Sequence, residues 1–574
     1  MPLMMPSRWA RWWQGQPAGR IVVIGGLSLL GALFLVDAWR GNGPLWSVPF
    51  FPGNDIDAAM NLWLLERNLT LLRDGQAMGR LDVLFTTGAF WPDTNTLAWT
   101  DNWLVATPLY GLLRQALPPS QAFAALIVAC LAGNTLACYR LTRHGATHPL
   151  ARIAAAGLAS LSLAVVARMG HAQLLPAFAG ILAVDALFDA AGTTPHAGRW
   201  PDARAGLAAA AWLQLQLALG FYLGAFFALA CACTAAVLLV RQWNRSSDAS
   251  GGGVWTPMSL PRLWPWLAAN AVLLAVNGVI YRQYALYADQ AGPRAWGEVS
   301  TMVPRAWSYG YSVFATVDRV SFPAPVQYAN GLPGPVWEHS MFPGWAFAAA
   351  LLMAARYWRR LRGREALVGL TFGCGCLMLL TLGTGPLTEV WSLWRVLYEL
   401  VPGLSAIRAV ARVGLVLSLL AAPVLAAGLE QWTVDRRGRV SVARWVAFGG
   451  LWLVSGLSVP DEHRVSTIDY ERRRTEAAGR IAEAVRGRGC VAFYVPTYPD
   501  TPEVESWRWQ LLAMWGSLAA QTPTVNGYSG HGAQGGWSAS MDAPALDRYL
   551  EARGVLPDQR TRVCHIPPSE MMPR

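Results

Sequence analysis

The stretch Gly53-Asn54-Asp55-Ile56-Asp57-Ala58-Ala59-Met60-Asn61-Leu62-Trp63 follows the first long apolar segment of the chain, residues 21–38. Two carboxylates, Asp55 and Asp57, therefore lie close to the point where a membrane-spanning segment ends. A carboxylate within reach of hydrocarbon is costly to keep charged unless it faces a polar cavity, so such residues are functional candidates. The alternative is that each Asp is simply solvated just outside the helix.

The composition outward from this stretch is that of a membrane protein. The chain has 574 residues, of which 54% are hydrophobic and 14% charged, and a mean hydropathy of +0.29. Soluble domains carry about a quarter charged residues. About eleven apolar stretches of roughly 18–20 residues are each long enough to cross a hydrocarbon core of ~30 Å. These features predict an all-α polytopic membrane protein with about 11 transmembrane helices.

The formal charge of +11 reports topology and not a nucleic-acid partner. The arginines cluster in short loops between apolar segments, where the positive-inside rule puts them, most clearly in residues 356–364 and 436–444. Arg8, Arg11 and Arg20 precede the first apolar segment without a small-residue cleavage site, so that segment is predicted to be retained. We expect a bacterial inner-membrane protein with a cytoplasmic N-terminus and, after an odd number of crossings, a periplasmic C-terminus.

This topology divides the chain into two predicted domains. Residues 1–459 form the transmembrane domain, with outer loops at about 44–120, 281–343 and 384–412. Short amphipathic runs at residues 62–72 and 104–113 suit helices that lie at the membrane interface. Residues 460–574 form a soluble periplasmic α/β domain, with helices predicted over 468–485 and 511–520 and a strand over 490–495.

Of the eight cysteines, six lie in apolar segments and two, Cys490 and Cys564, lie in the C-terminal tail. The predicted topology exports the tail to an oxidising compartment, where disulfides form and persist. No other tail cysteine competes, so we predict a Cys490–Cys564 disulfide.

A second group of candidates lies in the third outer loop, where Arg408 and Arg412 oppose the inward bias of the other arginines. On a helix, their four-residue spacing would put both guanidinium groups on one face. Two guanidinium forks side by side suit a phosphate, because their donors match its oxygens bidentately. The alternative is that both side chains snorkel to lipid headgroups or water.

Outward carboxylates together with an outward arginine pair suit glycosyl transfer from a polyprenyl-phosphate sugar. A carboxylate would accept the proton of the acceptor as it attacks the anomeric carbon, and the cations would stabilise the departing phosphate. The acceptor would be a hydroxyl or amino group on a periplasmic glycan, lipid or protein.

The chain also resembles the glycosyltransferase-C superfamily, in particular its bacterial branch that uses polyprenyl-phosphate sugars and is related to the YfhO-like membrane proteins. The resemblance spans most of the chain and rests on six short segments in order: the Asp57-to-Trp63 spacing, Trp91-Pro92-Asp93-Thr94-Asn95-Thr96-Leu97-Ala98-Trp99-Thr100-Asp101-Asn102, Gly170-His171-Ala172-Gln173-Leu174-Leu175, Met341-Phe342-Pro343-Gly344, Pro402 to Arg412, and Val525-Asn526-Gly527-Tyr528-Ser529-Gly530.

The resemblance implies a GT-C-like fold, a first-loop carboxylate as catalytic base, in some relatives with a divalent metal, and a lipid-linked donor that enters from the bilayer. Asp57 matches the family spacing best and Asp55 second, and the Asp-Ile-Asp doublet departs from the adjacent acid pairs of some relatives. Asp101 matches a recurring loop acid and is the expected partner, as a metal ligand or in acceptor binding. His171 is an interfacial turn residue that could contact donor or acceptor.

Two rival functions remain open from the sequence. A transporter or flippase of lipid-linked sugars would also need outward cations, although transporters usually place ions in broken helices at mid-bilayer. A non-catalytic relative would keep the scaffold and use the tail as a binding module. No glycine-rich loop after a strand supports a nucleotide-sugar site, and no His/Cys spacing suggests zinc. The sugar, the acceptor and any metal are not specified by the sequence.

Overall fold

The computed structural model describes residues 55–75, 79–193, 202–246, 260–312, 336–361, 364–385, 390–435, 439–456, 467–497, 503–530 and 537–567. The first apolar segment, residues 21–38, and the cytoplasmic N-terminus predicted before it lie outside these ranges. Arg436 and Arg437 also lie outside them, as does the side chain of Asp55, whose backbone begins the first described helix.

The described chain is mostly helical, with two pairs of short strands. The helices of the membrane region are α1 Asp55–Arg73, α2 Leu81–Phe85, α3 Thr107–Leu113, α4 Pro119–Leu141, α5 Pro149–Ser160, α6 Leu163–Val166, α7 Phe178–Ala190, α8 Ala203–Leu219, α9 Phe221–Ser246, α10 Leu260–Ala291, α11 Trp296–Thr301, α12 Trp345–Arg356, α13 Trp358–Leu361, α14 Glu365–Thr381, α15 Leu393–Leu400, α16 Val413–Leu420, α17 Ala422–Thr433 and α18 Val442–Gly456. Strands β1 Gly383–Thr384 and β2 Trp391–Ser392 pair antiparallel before α15.

Within the described ranges, five helical segments are long and apolar enough to cross a membrane, namely Pro119–His144, Pro149–Val166, Ala172–Ala190, Phe221–Arg241 and Leu263–Ala291. A sixth, Val410–Leu420 with Ala422–Thr433, qualifies if its 41° bend is counted within one span. The five unbent segments have mean hydropathies between 1.4 and 2.4, and a helix satisfies its own backbone hydrogen bonds in hydrocarbon. The chain is thus a helical membrane protein, and the count of eleven spans stays a prediction.

Small residues let the apolar helices pack closely. A side chain at Gly428 in α17 would lie 2.5 Å from the carbonyl oxygen of Ala350 and 2.7 Å from the backbone nitrogen of Ala354, both in α12. Close backbone approach at glycine is a common source of van der Waals packing between membrane helices. Substitution of Gly428 would therefore force α12 and α17 apart.

One end of the helical bundle carries an ionic cluster around the buried carboxylate of Asp185. The Asp185 carboxylate near the end of α7 accepts hydrogen bonds from Arg140 at 2.6 Å and Arg143 at 2.9 Å, and lies 3.0 Å from His144 Nε2. We call this the arginine-rich end. Arg140 lies near the end of α4, so the start of this helix marks the opposite end of the bundle. Helix α4 has 23 residues and is therefore about 34 Å long.

The first outer loop is folded against this opposite end. Helix α1 was predicted in part as an interfacial helix, but Leu62, Leu64 and Leu65 are all fully buried. It is therefore an internal helix and not one that lies on a lipid surface. Helix α10 continues to Ala291, and its last turns contact the loop, since the Asn95 side chain donates to the Gln283 carbonyl at 2.8 Å.

The tail has mixed α/β structure. Its helices are α19 Thr467–Arg486, α20 Glu503–Ala520, α21 Ala543–Ala552 and α22 Pro557–Arg560, and strands β3 Ala492–Tyr494 and β4 Val563–His565 pair in parallel. Cys490 and Cys564 are joined by a disulfide with their Cα atoms 5.6 Å apart. Leu511 and Met514 of α20 share one hydrophobic core with α1, and Trp63 donates to the Met514 carbonyl at 2.7 Å. The tail thus packs directly on the first loop.

Candidate functional site

Asp57 lies in the first turn of α1, where an acidic side chain is stabilised by the positive end of the helix dipole. Its Oδ1 accepts a hydrogen bond from the Tyr528 hydroxyl at 2.8 Å, and its Oδ2 lies 3.3 Å from His171 Nε2. The side chains of Asp57 and His171 each retain 15% exposure. Asp57 is therefore held in a fixed position while still accessible from outside.

Amide side chains connect α1, the helix that carries Asp57, to the loop that carries Asp101. One turn along α1, Asn61 donates to Gln173 Oε1 at 2.9 Å and accepts from Trp103 Nε1 at 2.8 Å. Gln173 in turn lies beside Asp101 and lowers the pKa of that carboxyl. The amides are buried, so every bond that they lose would leave an unsatisfied polar group.

Asp101 lies near enough to Asp57 for the two charges to interact. Burial is the largest influence and, with repulsion from Asp57, raises the pKa of Asp101 to about 6, although Arg412 and Gln173 act in the opposite direction. Perturbed carboxyl groups in clefts are candidates for functional roles. A carboxyl with this pKa changes its charge just below neutral pH.

A buried ionic cluster, which we call the Arg168–Glu338–Arg412 cluster, lies next to His171. Arg412 Nη2 lies 2.7 Å from Glu338 Oε1 and Arg168 Nη1 lies 3.0 Å from Glu338 Oε2. The three side chains are only 2–6% exposed. Arg168 also donates to the Trp337 carbonyl at 3.0 Å, and the Arg412 guanidinium lies 5.0 Å from the Tyr222 ring centre. Burial alone would raise the pKa of Glu338, but the attraction of Arg412 and Arg168 outweighs it and holds that pKa below its usual range.

His171 joins the two groups, since it contacts Asp57 and lies 4.0 Å from Glu338 Oε1. Burial, followed by repulsion from Arg412, lowers the pKa of His171 to about 4, against the attraction of Asp57 and Glu338. The imidazole is therefore neutral near pH 7. A neutral ring can donate one N–H to the Asp57 carboxylate and fix its orientation.

The predicted arrangement of Arg408 and Arg412 on one helix face is wrong. Gly403 has the left-handed φ of 87°, residues 404–406 and 410–412 form short 3₁₀ turns, and the helix begins only at Val413. Arg408 instead pairs with Glu298 at 3.2 Å, with 34% of its side chain exposed. Both arginines contact Tyr222: the Arg408 backbone N–H donates to the Tyr222 hydroxyl at 3.0 Å, and the Arg412 guanidinium lies over the Tyr222 ring.

Four predicted residues, Asp57, Asp101, His171 and Arg412, thus lie in one site, and Arg408 lies at its margin. Sequence reasoning missed Arg168, Glu338, Gln173 and Tyr528 as members of the site. Arg168 carried a signal, because it lies outside the arginine clusters, such as residues 356–364 and 436–444, that set the inward bias. Glu338 carried little, because its partners are 170 and 74 residues away in the chain.

The tail reaches the site through the segment Thr524 to Gly530. The Phe90 and Trp91 backbones donate to the carbonyls of Asn526 and Thr524, both at 2.9 Å, and Thr524 donates to the Gly88 carbonyl at 2.8 Å. Gly527 is required here, because a Cβ atom at this position would lie 2.4 Å from the Phe90 ring. First loop and tail therefore form one continuous structure beside Asp57.

Comparison of the chain with models of known families and with curated protein sequences finds no match. Within the described residues, no group of three or more His, Cys, Asp or Glu side chains is arranged to hold a metal ion.

Proposed function

We propose that this protein is a membrane glycosyltransferase of the GT-C type, which moves a sugar from a polyprenyl-phosphate donor to a periplasmic glycan, lipid or protein. The observation that supports it best is the convergence of Asp57, Asp101, His171 and Arg412 at the end of the bundle opposite the arginine-rich end. These residues come from four separate parts of the sequence. An accessible carboxylate beside guanidinium groups is the combination that this reaction needs.

Asp57 is the general base in this proposal, and Asp55 is the alternative. A base must reach the proton that it removes, and Asp57 is both partly exposed and fixed by two contacts. General-base assistance contributes typically about 10²–10⁴ in rate. Neutral His171 keeps the carboxylate oriented without taking its charge.

The roles of the two arginines differ because their environments differ. A phosphate that replaced Glu338 beside Arg412 would have to break a buried pair and leave a buried carboxylate uncompensated, which costs about 3–5 kcal/mol. The Arg408–Glu298 pair is about one-third exposed on each side and exchanges partners at little cost. Arg408 is therefore the residue that binds the donor phosphate directly, and Arg412 supplies a fixed positive field.

Asp101 is the second acidic group, for the acceptor or for a divalent metal. Mg²⁺ is commonly held by one or two carboxylates together with substrate phosphates, so Asp57 and Asp101 with a donor phosphate would suffice. When bound, such an ion would neutralise charge on the leaving phosphate. Without it, protonation of Asp101 would reduce the negative charge of the site.

The proposed orientation places the site in the periplasm. Arg140 and Arg143 belong to the end that the positive-inside rule assigns to the cytoplasm, and Asp57 lies at the other end. The protein would then be an inner-membrane enzyme with a cytoplasmic N-terminus, a periplasmic tail and a donor supplied from the surrounding lipids.

One observation favours the rival transporter function. The segment formed by α16 and α17 is bent by 41° where Pro423 follows the break, and interrupted helices are common at transporter binding sites. The ionic groups nevertheless gather at the end of the bundle and in loops. A non-catalytic scaffold would require neither a raised carboxyl pKa nor an accessible Asp57.

The test is turnover. Purified protein in detergent or nanodiscs would be incubated with a panel of polyprenyl-phosphate sugars, with and without Mg²⁺, and the released polyprenyl phosphate would be measured. Release that depends on Asp57 supports the enzyme. Movement of intact donor across the membrane of proteoliposomes, without release of polyprenyl phosphate, would identify a transporter. The absence of both release and movement would identify a scaffold.

A further inference from the structure

The tail contributes the Tyr528 side chain to the centre of the site, and neighbouring contacts within the tail fix its position. Asn526 is buried, and its side chain makes four hydrogen bonds within the tail. It accepts from the Val495 N–H and donates to the Val495 carbonyl and to Gln510, each at 2.7 Å, and it accepts from the Thr524 hydroxyl at 3.1 Å. These bonds fix the chain two residues before Tyr528. Because the Asn526 and Thr524 carbonyls also bond the first loop, the tail and the loop share one rigid frame.

Tyr528 is supported on its other side as well. Its ring lies 5.8 Å from the Trp507 ring, and the Gly530 carbonyl accepts a hydrogen bond from Arg294 at 2.7 Å. Contacts on both sides restrict where the Tyr528 hydroxyl can lie, and that hydroxyl donates to Asp57 Oδ1 at 2.8 Å. A donor of this kind stabilises a charged carboxylate and fixes the direction of its lone pairs.

We propose that Tyr528 is a positioning residue for Asp57, so that the active site is completed by the C-terminal tail and is not contained in the membrane region alone. The Tyr528 hydroxyl donates to Oδ1 and the neutral His171 ring lies 3.3 Å from Oδ2, so the carboxylate is held between groups from different parts of the chain. The role of Tyr528 in transfer rests on the proposed function, whereas its contact with Asp57 can be tested without any activity.

The chain provides a matched control in Tyr549. Its hydroxyl also donates from the tail to a first-loop aspartate, Asp93, at 3.3 Å, and Arg553 pairs with the same carboxylate at 2.6 Å. Tyr549→Phe removes a phenol bond between tail and loop and leaves Asp57 untouched. A purely structural role for tail docking would make the two Phe variants behave alike.

The kinetic experiment compares Tyr528→Phe with Tyr549→Phe in the polyprenyl-phosphate sugar assay. We expect Tyr528→Phe to lower kcat about tenfold, the effect of losing one charge-assisted hydrogen bond, with the donor KM unchanged. Tyr549→Phe should stay close to wild type. Equal loss in both variants, no loss in either, or a raised donor KM at constant kcat would each overturn the positioning role.

A thermal double-mutant cycle tests the contact itself. Tm would be measured for the wild type, Tyr528→Phe, Asp57→Ala and the double variant. If the bond exists, the two single changes together should destabilise the protein less than the sum of their separate effects, by about 1–2 °C. Additive effects would refute the contact. A wild-type protein that transfers no sugar would refute the proposed function, while the cycle would still decide the contact.

Discussion

Glu338 and Glu298 offer a prediction about stability that depends only on burial. Each glutamate pairs with two arginines: Glu338 with Arg168 and Arg412, and Glu298 with Arg294 and Arg408. The Glu338 side chain is 3% exposed and the Glu298 side chain is 36% exposed. The perturbation is the same in both cases, replacement of Glu by Gln, which keeps the volume and removes the charge.

The expected magnitudes differ widely. Glu338→Gln leaves two buried guanidinium groups without their counter-charge, and breaking a buried pair in this way costs about 3–5 kcal/mol. Glu298→Gln disturbs pairs in which the carboxylate itself is 36% exposed, and for pairs open to solvent the cost is about 0–1 kcal/mol. An unfolding entropy of about 2.1 cal/mol/K for each of 574 residues gives about 1.2 kcal/mol per degree. We therefore expect Glu338→Gln to lower Tm by about 3–4 °C and Glu298→Gln by less than about 1 °C.

The assay is thermal unfolding of both purified variants in the same detergent. Because Arg412 and Arg168 hold the pKa of Glu338 below its usual range, this carboxylate is charged from about pH 5 to pH 8. Its stabilising effect is lost only as the pH falls through the lowered pKa, so the difference between the variants should stay constant over that range. Equal Tm values for the two variants would refute the buried cluster.

Three further outcomes follow from the site. The pKa of Asp101 is raised to about 6, so the wild-type transfer rate should change near pH 6 and the wild-type protein should lose stability as the pH rises from about 4 through 6. Asp101→Asn should abolish both pH dependences, and an unchanged pH profile in this variant would contradict the prediction. Arg408→Ala should raise the donor KM several-fold with little effect on Tm, while Arg412→Ala should lower Tm by several degrees; identical behaviour would restore the two arginines as one pair. Reduction of the Cys490–Cys564 disulfide, which closes a loop over a sequence separation of 74, should destabilise the tail by a few kcal/mol in urea unfolding; two free thiols in protein taken from cells would contradict its formation there.

Elements set by local pattern could be predicted from the sequence. The tail helix predicted over 468–485 runs from Thr467 to Arg486, and the strand predicted over 490–495 contains β3, Ala492–Tyr494. In both cases the spacing of apolar and charged residues within the segment indicates the structure.

Elements set by contacts between distant residues could not be predicted. The helix expected through Arg408 does not form because Ala411 donates its N–H to the Met302 carbonyl at 2.9 Å, a bond that no local pattern reveals. The same holds for Glu338, whose role depends on Arg168 and Arg412 folding around it. The candidate base could be identified from its position after an apolar segment, but its partner Tyr528 lies 471 residues away.

The central claim is that Asp57 is the base of a sugar-transfer reaction, and Asp57→Asn tests it most directly. Asn keeps the volume and can accept a hydrogen bond from Tyr528, but it cannot take up a proton. In the polyprenyl-phosphate release assay, Asp57→Asn should lower the rate at least about 10²-fold while donor binding and expression stay close to wild type. Asp55→Asn, measured in parallel, should keep most of its activity. A rate for Asp57→Asn within a few-fold of wild type would contradict the account.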